Sequence, residues 1–315
     1  MTPGYGRCRP IACYHVRRDP TVRIVTNPGS DLSPSLLDRY EIDLTPQQIV
    51  VDGTPHDTRG GIELGQIDDW VRSAREHPYV LGTSAAEFAR VFSELGRTDP
   101  QLLAVMTSRK LIQSYDAAVS ASNTLARHTK HPLQVRVVDT GVTSVGAGLV
   151  TLLAAVAREQ GHDLDAVARL SQRFVEGLDM KFCVATMEYL VKGGRASALR
   201  AWMADLLRVR PMLAFKKGEI AVAAKISASA DLVATLTDAA DASMHGRRVW
   251  IAVAHGGVPE LAERLAHELR RRLDVAFLYV VPFSPAIYLH AGPGSIGYCA
   301  GPVDDLGWTP PVPEA

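Results

Sequence analysis

Three short stretches carry residue types that could do chemistry. In Tyr288–Tyr298, His290 stands three residues ahead of Pro293, inside the turn Gly292-Pro293-Gly294, and Ser295 follows. Two glycines around a proline force the backbone to turn tightly. Just past the turn, the peptide N–H groups of Ser295, Ile296 and Gly297, with no bulky side chain over them, suit an anion, and His290 could donate to the same anion. The plain structural alternative is a turn between two strands with a surface histidine. The second stretch is Thr83-Ser84, ahead of Ala85-Ala86-Glu87. A Ser or Thr with Glu three residues on is a helix-capping box, yet a hydroxyl pair at a helix N-terminus also suits a carboxylate. The third is the basic glycine loop Lys192-Gly193-Gly194-Arg195, either a solvated turn or a surface for a partner.

Other chemistries find less. Cys8, Cys13 and His15 form the one local cluster of metal-ligand types, and zinc needs four ligands at defined spacing. No metal or cofactor is expected. No phosphate-binding lysine loop is present, and Gly146-Ala147-Gly148 falls inside a helical stretch, where it reads as a close-packing site. Ser84, His290 and Asp139 could make a nucleophile, base and acid by residue type alone, without a nucleophile elbow. Lys+Arg and Asp+Glu are each 34, so no net charge draws in nucleic acid or an anionic membrane. Four scattered cysteines fit a reducing cytoplasm better than a disulfide framework. No apolar run reaches the roughly 18 residues of a membrane span, and no signal pattern opens the chain.

Elements that would position these residues follow from periodicity. Hydrophobic residues make up 47% of the 315, enough for a sizeable core. Residues 1–20 read as an extension. Strands are expected at Arg23–Thr26, Asp43–Val51, Leu102–Met106 and Gln134–Asp139. Helices are expected from Ser33-Pro34, over Ile67–Glu76, Ala85–Leu95, Leu111–His128 and Ser144–Gln160. That rhythm predicts a doubly wound sheet of parallel strands. Beyond the helix Leu164–Glu176, a second α/β unit is expected: a strand Lys181–Ala185, the segments Met187–Leu190 and Ala198–Leu207 flanking the basic glycine loop, and a hairpin across Lys216-Lys217-Gly218. The helices Asp231–Met244 and Pro259–Leu273 would alternate with strands Val249–Ala254 and Val275–Val281. The fold class is α/β: two α/β domains, 21–164 and 165–315, with a ligand cleft between them.

In order and spacing, these segments resemble the DegV family of bacterial fatty-acid-binding proteins, which includes the binding subunit of fatty acid kinase. The resemblance runs from about residue 22 to 301. Its marks are Val22–Thr26 with Ser30-Asp31-Leu32, Thr83-Ser84, Val137-Val138-Asp139 with Gly146 and Gly148, Glu188-Tyr189-Leu190 with Lys192–Arg195, Val209-Arg210-Pro211, and His290 with Gly292-Pro293-Gly294. The resemblance implies one long-chain fatty acid in an apolar interdomain tunnel, its carboxylate held by hydroxyls and a histidine. Thr83, Ser84 and His290 match the family's head-group residues, and a kinase subunit is the implied partner. The binding protein is not itself the catalyst.

The chain departs from that pattern at the head group. The family's Leu-Ser-Gly-Thr-Tyr segment appears as Leu111-Ile112-Gln113-Ser114-Tyr115, so Ile112 replaces a serine and Ser114 is the nearest hydroxyl. Val191 and Ser227 stand where arginines are usual. The expected head-group set is Thr83, Ser84, His290, Ser114, Gly294 and Ser295. Ile112 is the remodelled lining position, and Lys192 and Arg195 are the candidate partner surface. The reading is a lipid-binding carrier. The alternatives are a diverged enzyme using Ser84 or His290 on an acyl or other hydrophobic substrate, and a regulatory protein with a vestigial pocket.

Overall fold

The computed structural model describes residues 22–128, 133–195 and 209–314. The extension 1–20, with Cys8, Cys13 and His15, and the segment Ala198–Leu207 beyond the basic loop lie outside them. A first sheet takes the order β2-β1-β6-β7, all parallel, from β1 (Val22–Thr26), β2 (Ile42–Leu44), β6 (Gln101–Met106) and β7 (Gln134–Asp139). A second sheet takes the order β10-β9-β8-β13-β11-β12. It comprises β8 (Asp179–Cys183), β9 (Val209–Lys216), β10 (Glu219–Ser227), β11 (Arg248–His255), β12 (Asp274–Pro282) and β13 (Ile296–Pro302). Only its β11–β12 pair is parallel; the rest are antiparallel. The expectation of parallel winding therefore holds for the first sheet alone.

A third, small sheet was not expected. The run 43–51 is two strands: Thr45-Pro46 breaks it, and β3 (Gln48–Val51) leaves for a separate sheet with β4 (Thr54–Asp57) and β5 (Tyr79–Leu81). Proline has no N–H to give a ladder, so the chain changes sheets there.

Side-chain alternation stacks the layers. In β11, Trp250, Ala252 and Ala254 face one core, while Val249, Ile251 and Val253 face another. The latter pack under α8 (Leu232–Met244) and α9 (Pro259–Arg272). On the first sheet, Val25, Leu102, Ala104 and Met106 pack under α3 (Ala85–Leu95) and α4 (Ser114–His128), while Ile24, Leu103 and Val105 face inward. Between the sheets lie α5 (Ser144–Glu159) and α6 (Leu164–Glu176). α5 packs on β1 and β6 of one sheet and on β11 and β13 of the other, and its residues Ser144–Ala157 are all buried. A helix apolar all round belongs in such a place. A boundary at 164 falls between two helices of this shared layer.

Two polar knots close the seam. On α2 (Leu64–Ser73), Asp68 accepts hydrogen bonds from Tyr189 of α7 (Glu188–Lys192), 3.1 Å, and from Tyr288 of α10 (Pro285–Ala291), 3.0 Å. Asp31, wholly buried, accepts from the Ser144 hydroxyl and from the Ser284 peptide N–H, 2.9 Å. Burial pushes the Asp31 carboxyl from 3.8 up to about 6, against the lowering by these two serines. The folded state thus binds this proton more tightly than the unfolded chain, and stability falls as pH rises from about 4 to about 6. The rise amounts to roughly 3 kcal/mol. Urea midpoints of Asp31→Asn should lose that slope; an unchanged slope would place the titration elsewhere.

Candidate functional site

At the seam is a void with about 800 Å³ of space between its atoms, part of it open to solvent. Most of the wall is apolar, including Val145, Met180, Phe182, Phe215, Ile220 and Phe283. Phe182 and Phe215 lie with ring centroids 6.0 Å apart.

One end is polar, and a chain of contacts defines it. Thr83, buried, sets its hydroxyl 3.0 Å from Thr45 Oγ1 and donates to the Pro46 carbonyl. The next residue, Gln47, lines the void and leaves its side-chain oxygen buried without a partner. On the other side of Thr83, Gly82 packs against Ser114 and Ile112; a Cβ at Gly82 would fall 2.7 Å from Ser114 Oγ and 2.9 Å from Ile112 Cδ1. Ser114 Oγ is likewise buried and unpartnered, and Ile112 lines the void. Beside Ile112, the Leu111 carbonyl accepts from Arg195 Nη2, 3.0 Å, while Arg195 Nη1 donates to the Gly193 carbonyl, 2.8 Å. Gly193 in turn lies so close to His290 that an added Cβ would overlap Nδ1.

His290 sits in the last turn of α10 and lines the void. Part of its ring faces the open space, yet Nδ1 is closed off and unpartnered. Burial pushes its pKa from 6.5 down to about 3, with the Arg195 and His77 charges adding to the fall. The ring is neutral at neutral pH, with one nitrogen to donate and one to accept. A buried polar atom without a partner costs about 1–3 kcal/mol. Two lining residues, Gln47 and His290, carry such atoms, and Ser114 carries a third against Gly82 beside the lining residue Ile112.

Other residues named from sequence lie elsewhere. Ser84 is exposed and caps α3: its hydroxyl donates to Glu87 Oε2, 2.7 Å, and accepts from the Glu87 N–H, 3.3 Å. That reciprocal cap uses the donor a head group would need. In the turn after His290, the Gly294 N–H and the Ser295 hydroxyl are already engaged. Gly294 N–H donates to the Gly256 carbonyl, 2.7 Å, and the Ser295 hydroxyl to the Ala291 carbonyl, 2.6 Å. Both bonds fasten the turn to the start of β13, so Gly294 and Ser295 are structural. Lys192 is exposed and paired with Glu188 Oε1 at 2.6 Å. Arg195 turns inward, because the carbonyls of Gly193 and Leu111 draw its guanidinium to the wall of the void.

Gln47, Asn27 and Thr107 line the void and were not anticipated as site residues. The Asn27 amide spans to Thr107, with its oxygen 3.3 Å from the Thr107 N–H and its nitrogen 3.2 Å from Thr107 Oγ1. No spacing in the sequence singles them out. His290 belongs to a short helix, which Ser284-Pro285 does announce: proline is favoured at the first position of a helix.

Two sheets sharing a buried helical layer, with an apolar void at the seam and one polar end, define a ligand-enclosing α/β protein. A family model described as uncharacterised proteins of the DegV family matches residues 21–302. The chain belongs to the DegV family. The DegV domain-containing protein SCO2569 of Streptomyces coelicolor is 31% identical over 283 residues, 88% of this chain and 96% of that protein. A DegV family protein of Thermus thermophilus, described for its fatty acid binding, superposes with a TM-score of 0.82 at 28% identity, over 90% of this chain and 99% of its own. The Fatty Acid Kinase B3 protein of Streptococcus pneumoniae, solved loaded with linoleic acid, superposes with a TM-score of 0.77 over 90% of this chain and all of its own. At 18% identity that last likeness is one of fold.

Proposed function

We propose that the chain is a lipid-binding protein that holds one long-chain fatty acid or similar acyl ligand in the void between its sheets. The observation that carries this is the void itself: apolar along most of its wall, with buried, unpartnered polar atoms on the lining residues Gln47 and His290. An acyl chain satisfies the wall, at about 0.8 kcal/mol per buried CH₂. Its polar end meets the polar side chains on the wall, Gln47 and His290 among them. Thr83 adds a hydroxyl one residue from Gly82, already engaged with Thr45 and Pro46. The fatty acid binding reported for the Thermus thermophilus relative supports the same reading.

Further parts of the proposal follow from it. Residues 21–164 and 165–315 act as two domains that close on the ligand, with 1–20 an extension. The protein is a cytoplasmic carrier and not a catalyst: Ser84, the serine an acyl-enzyme would need, is committed to its helix cap. No helix among the described residues is long and apolar enough to cross a membrane. A kinase subunit is a partner by family membership, with exposed Lys192 as one contact.

Native mass spectrometry of the purified protein tests the main reading. Before delipidation the mass should exceed that of the chain by a few hundred daltons, the size of a single-chain lipid, and the excess should vanish on extraction. A bare mass throughout, with no uptake of added oleic acid, would overturn it.

A further inference from the structure

We propose that a small monovalent cation, sodium or one like it, binds in the polar knot at Asp31, held by the Asp31 carboxylate and the hydroxyl oxygens of Ser30, Tyr279 and Ser284. The site does not depend on the acyl-binding reading above.

Three observations lead there. First, Asp31 is a buried charge without a countercharge. Its described partners, the Ser144 hydroxyl and the Ser284 N–H, are both neutral. No described cation is paired with it or pulls its pKa down. A carboxylate taken out of water is costly unless a charge or enough donors compensate it. Burial outweighs the serine donors and leaves the pKa at about 6, so the group is ionised at neutral pH with its compensation incomplete.

Second, unpartnered oxygens gather round it. Ser30 Oγ, Tyr279 OH and Ser284 Oγ are all buried without a hydrogen-bond partner. Ser30 adjoins Asp31 in the chain, and Ser284 gives Asp31 its N–H. Tyr279, whose pKa is raised by burial and then by the Asp31 charge, stands close by. Ser30 and Tyr279 also meet: one methyl group at Gly148 would touch both the Ser30 carbonyl oxygen and the Tyr279 hydroxyl. Buried polar atoms are nearly always paired, and these lie unpaired beside one negative charge. The donor set is oxygen throughout, which is the chemistry of hard cations. One carboxylate matches a single positive charge. Among the described residues, no group of three acidic, histidine or cysteine side chains offers a multivalent metal its ligands.

Third, the backbone is bent to make the place. Five described non-glycine residues have positive φ, and two of them are a bonded pair, Asp31 at +46° and Ser144 at +53°. Such conformations persist where the surroundings hold them, and they gather at ligand clamps. The knot joins the loop after β1, the start of α5 and the lead into α10. An ion here would tie both sheets to the helix that carries His290.

The proton is the competitor. Below about pH 6 it occupies the carboxylate, and the ion should leave. Tyr279, and Cys299 beside it, are pushed well above their ordinary values by burial. Asp31 is therefore the group among them that titrates near neutrality.

Urea unfolding of the delipidated full chain tests this, with sodium chloride exchanged for choline chloride at constant ionic strength. At about pH 8 the unfolding constant should fall about tenfold for each tenfold rise in sodium, once sodium exceeds its dissociation constant. At about pH 5 it should not depend on sodium, because the proton holds the carboxylate. Asp31→Asn should abolish the dependence, and Tyr279→Phe, which keeps the ring, should move it to higher sodium. Thallium(I) soaked into crystals should give an anomalous peak bounded by Asp31, Ser30, Tyr279 and Ser284. Unfolding that ignores sodium at the higher pH, or depends on it equally at both, would overturn the proposal. So would density at that place that takes up no thallium, which would make the occupant water only. Should Asp31→Asn fail to fold, Tyr279→Phe decides: the wild-type sodium dependence in that variant overturns the site.

Discussion

Shortening the acid from eighteen carbons to ten should weaken binding by at least about three orders of magnitude. Each buried CH₂ contributes about 0.8 kcal/mol, close to a fourfold change in affinity. Ordering a longer chain takes part of this back, so about threefold per methylene is the smaller figure, compounded over eight. The polar end is common to every member of such a series, so Gln47, Ser114, His290 and Arg195 contribute equally throughout. What differs is contact with the apolar wall, where Val145, Phe182, Phe215 and Ile220 stand. Calorimetric dissociation constants for oleic, myristic and decanoic acids on delipidated protein give the slope. Affinity that varies by less than tenfold across the series would mean the chain lies outside the void, and the wall has another purpose.

The sequence made some of this legible and hid the rest for physical reasons. Local signals were strong where one residue dictates backbone geometry. Ser84 with Glu87 marked the start of α3 to the residue, because a capping box satisfies backbone N–H groups wherever it occurs. Ser33, ahead of Pro34, marked α1 as a simple N-cap whose side chain accepts from the Leu36 N–H. The same strength misled at the site: Ser84 was carried over as a head-group hydroxyl, and its cap had already claimed it. Non-local facts were hidden. Whether β3 continues β2 or leaves for another sheet depends on the partner strand β5, more than thirty residues on. The antiparallel β13 interrupts what would read as a parallel sheet, and its pairing with β8 and β11 is fixed by the turn at Gly294. Arg195 read as a solvated loop residue because composition cannot show that two carbonyls, one of them at Leu111, pull it inward. Gln47 gave no signal at all; it matters because Thr83 and Pro46 place it.

Gly148→Ala should destabilise the fold by about 2–3 kcal/mol, at the upper end of what an inserted methyl group costs in a packed core. Most alanines placed in a helix add stability, since glycine is the poorer helix former by about 1 kcal/mol. Here the sign reverses. Gly148 lies buried in the second turn of α5, where the helix passes under the loop that carries Ser30 and Asp31. A Cβ at that point would overlap the Ser30 carbonyl oxygen and come within 2.6 Å of the Tyr279 hydroxyl. A flexible side chain could swing aside, but the nearer obstacle is backbone. Moving it displaces Asp31, which holds Ser144 of α5 and the Ser284 N–H ahead of α10. One methyl group would thus strain the first sheet's loop, the shared helix and the element that carries His290. Gly161, at the end of the same region, is the contrast: no atom lies within 4 Å of its Cβ position, and its φ of +84° makes it costly for backbone reasons alone. Urea unfolding of Gly148→Ala, Gly161→Ala and wild type would separate the two causes. Gly148→Ala should lower the midpoint and also weaken oleic acid binding in the folded protein, because α10 moves. Gly161→Ala should lower the midpoint and leave binding alone. Wild-type stability in Gly148→Ala would show that the Ser30 loop yields freely, and that Asp31 does not hold the two sheets in register.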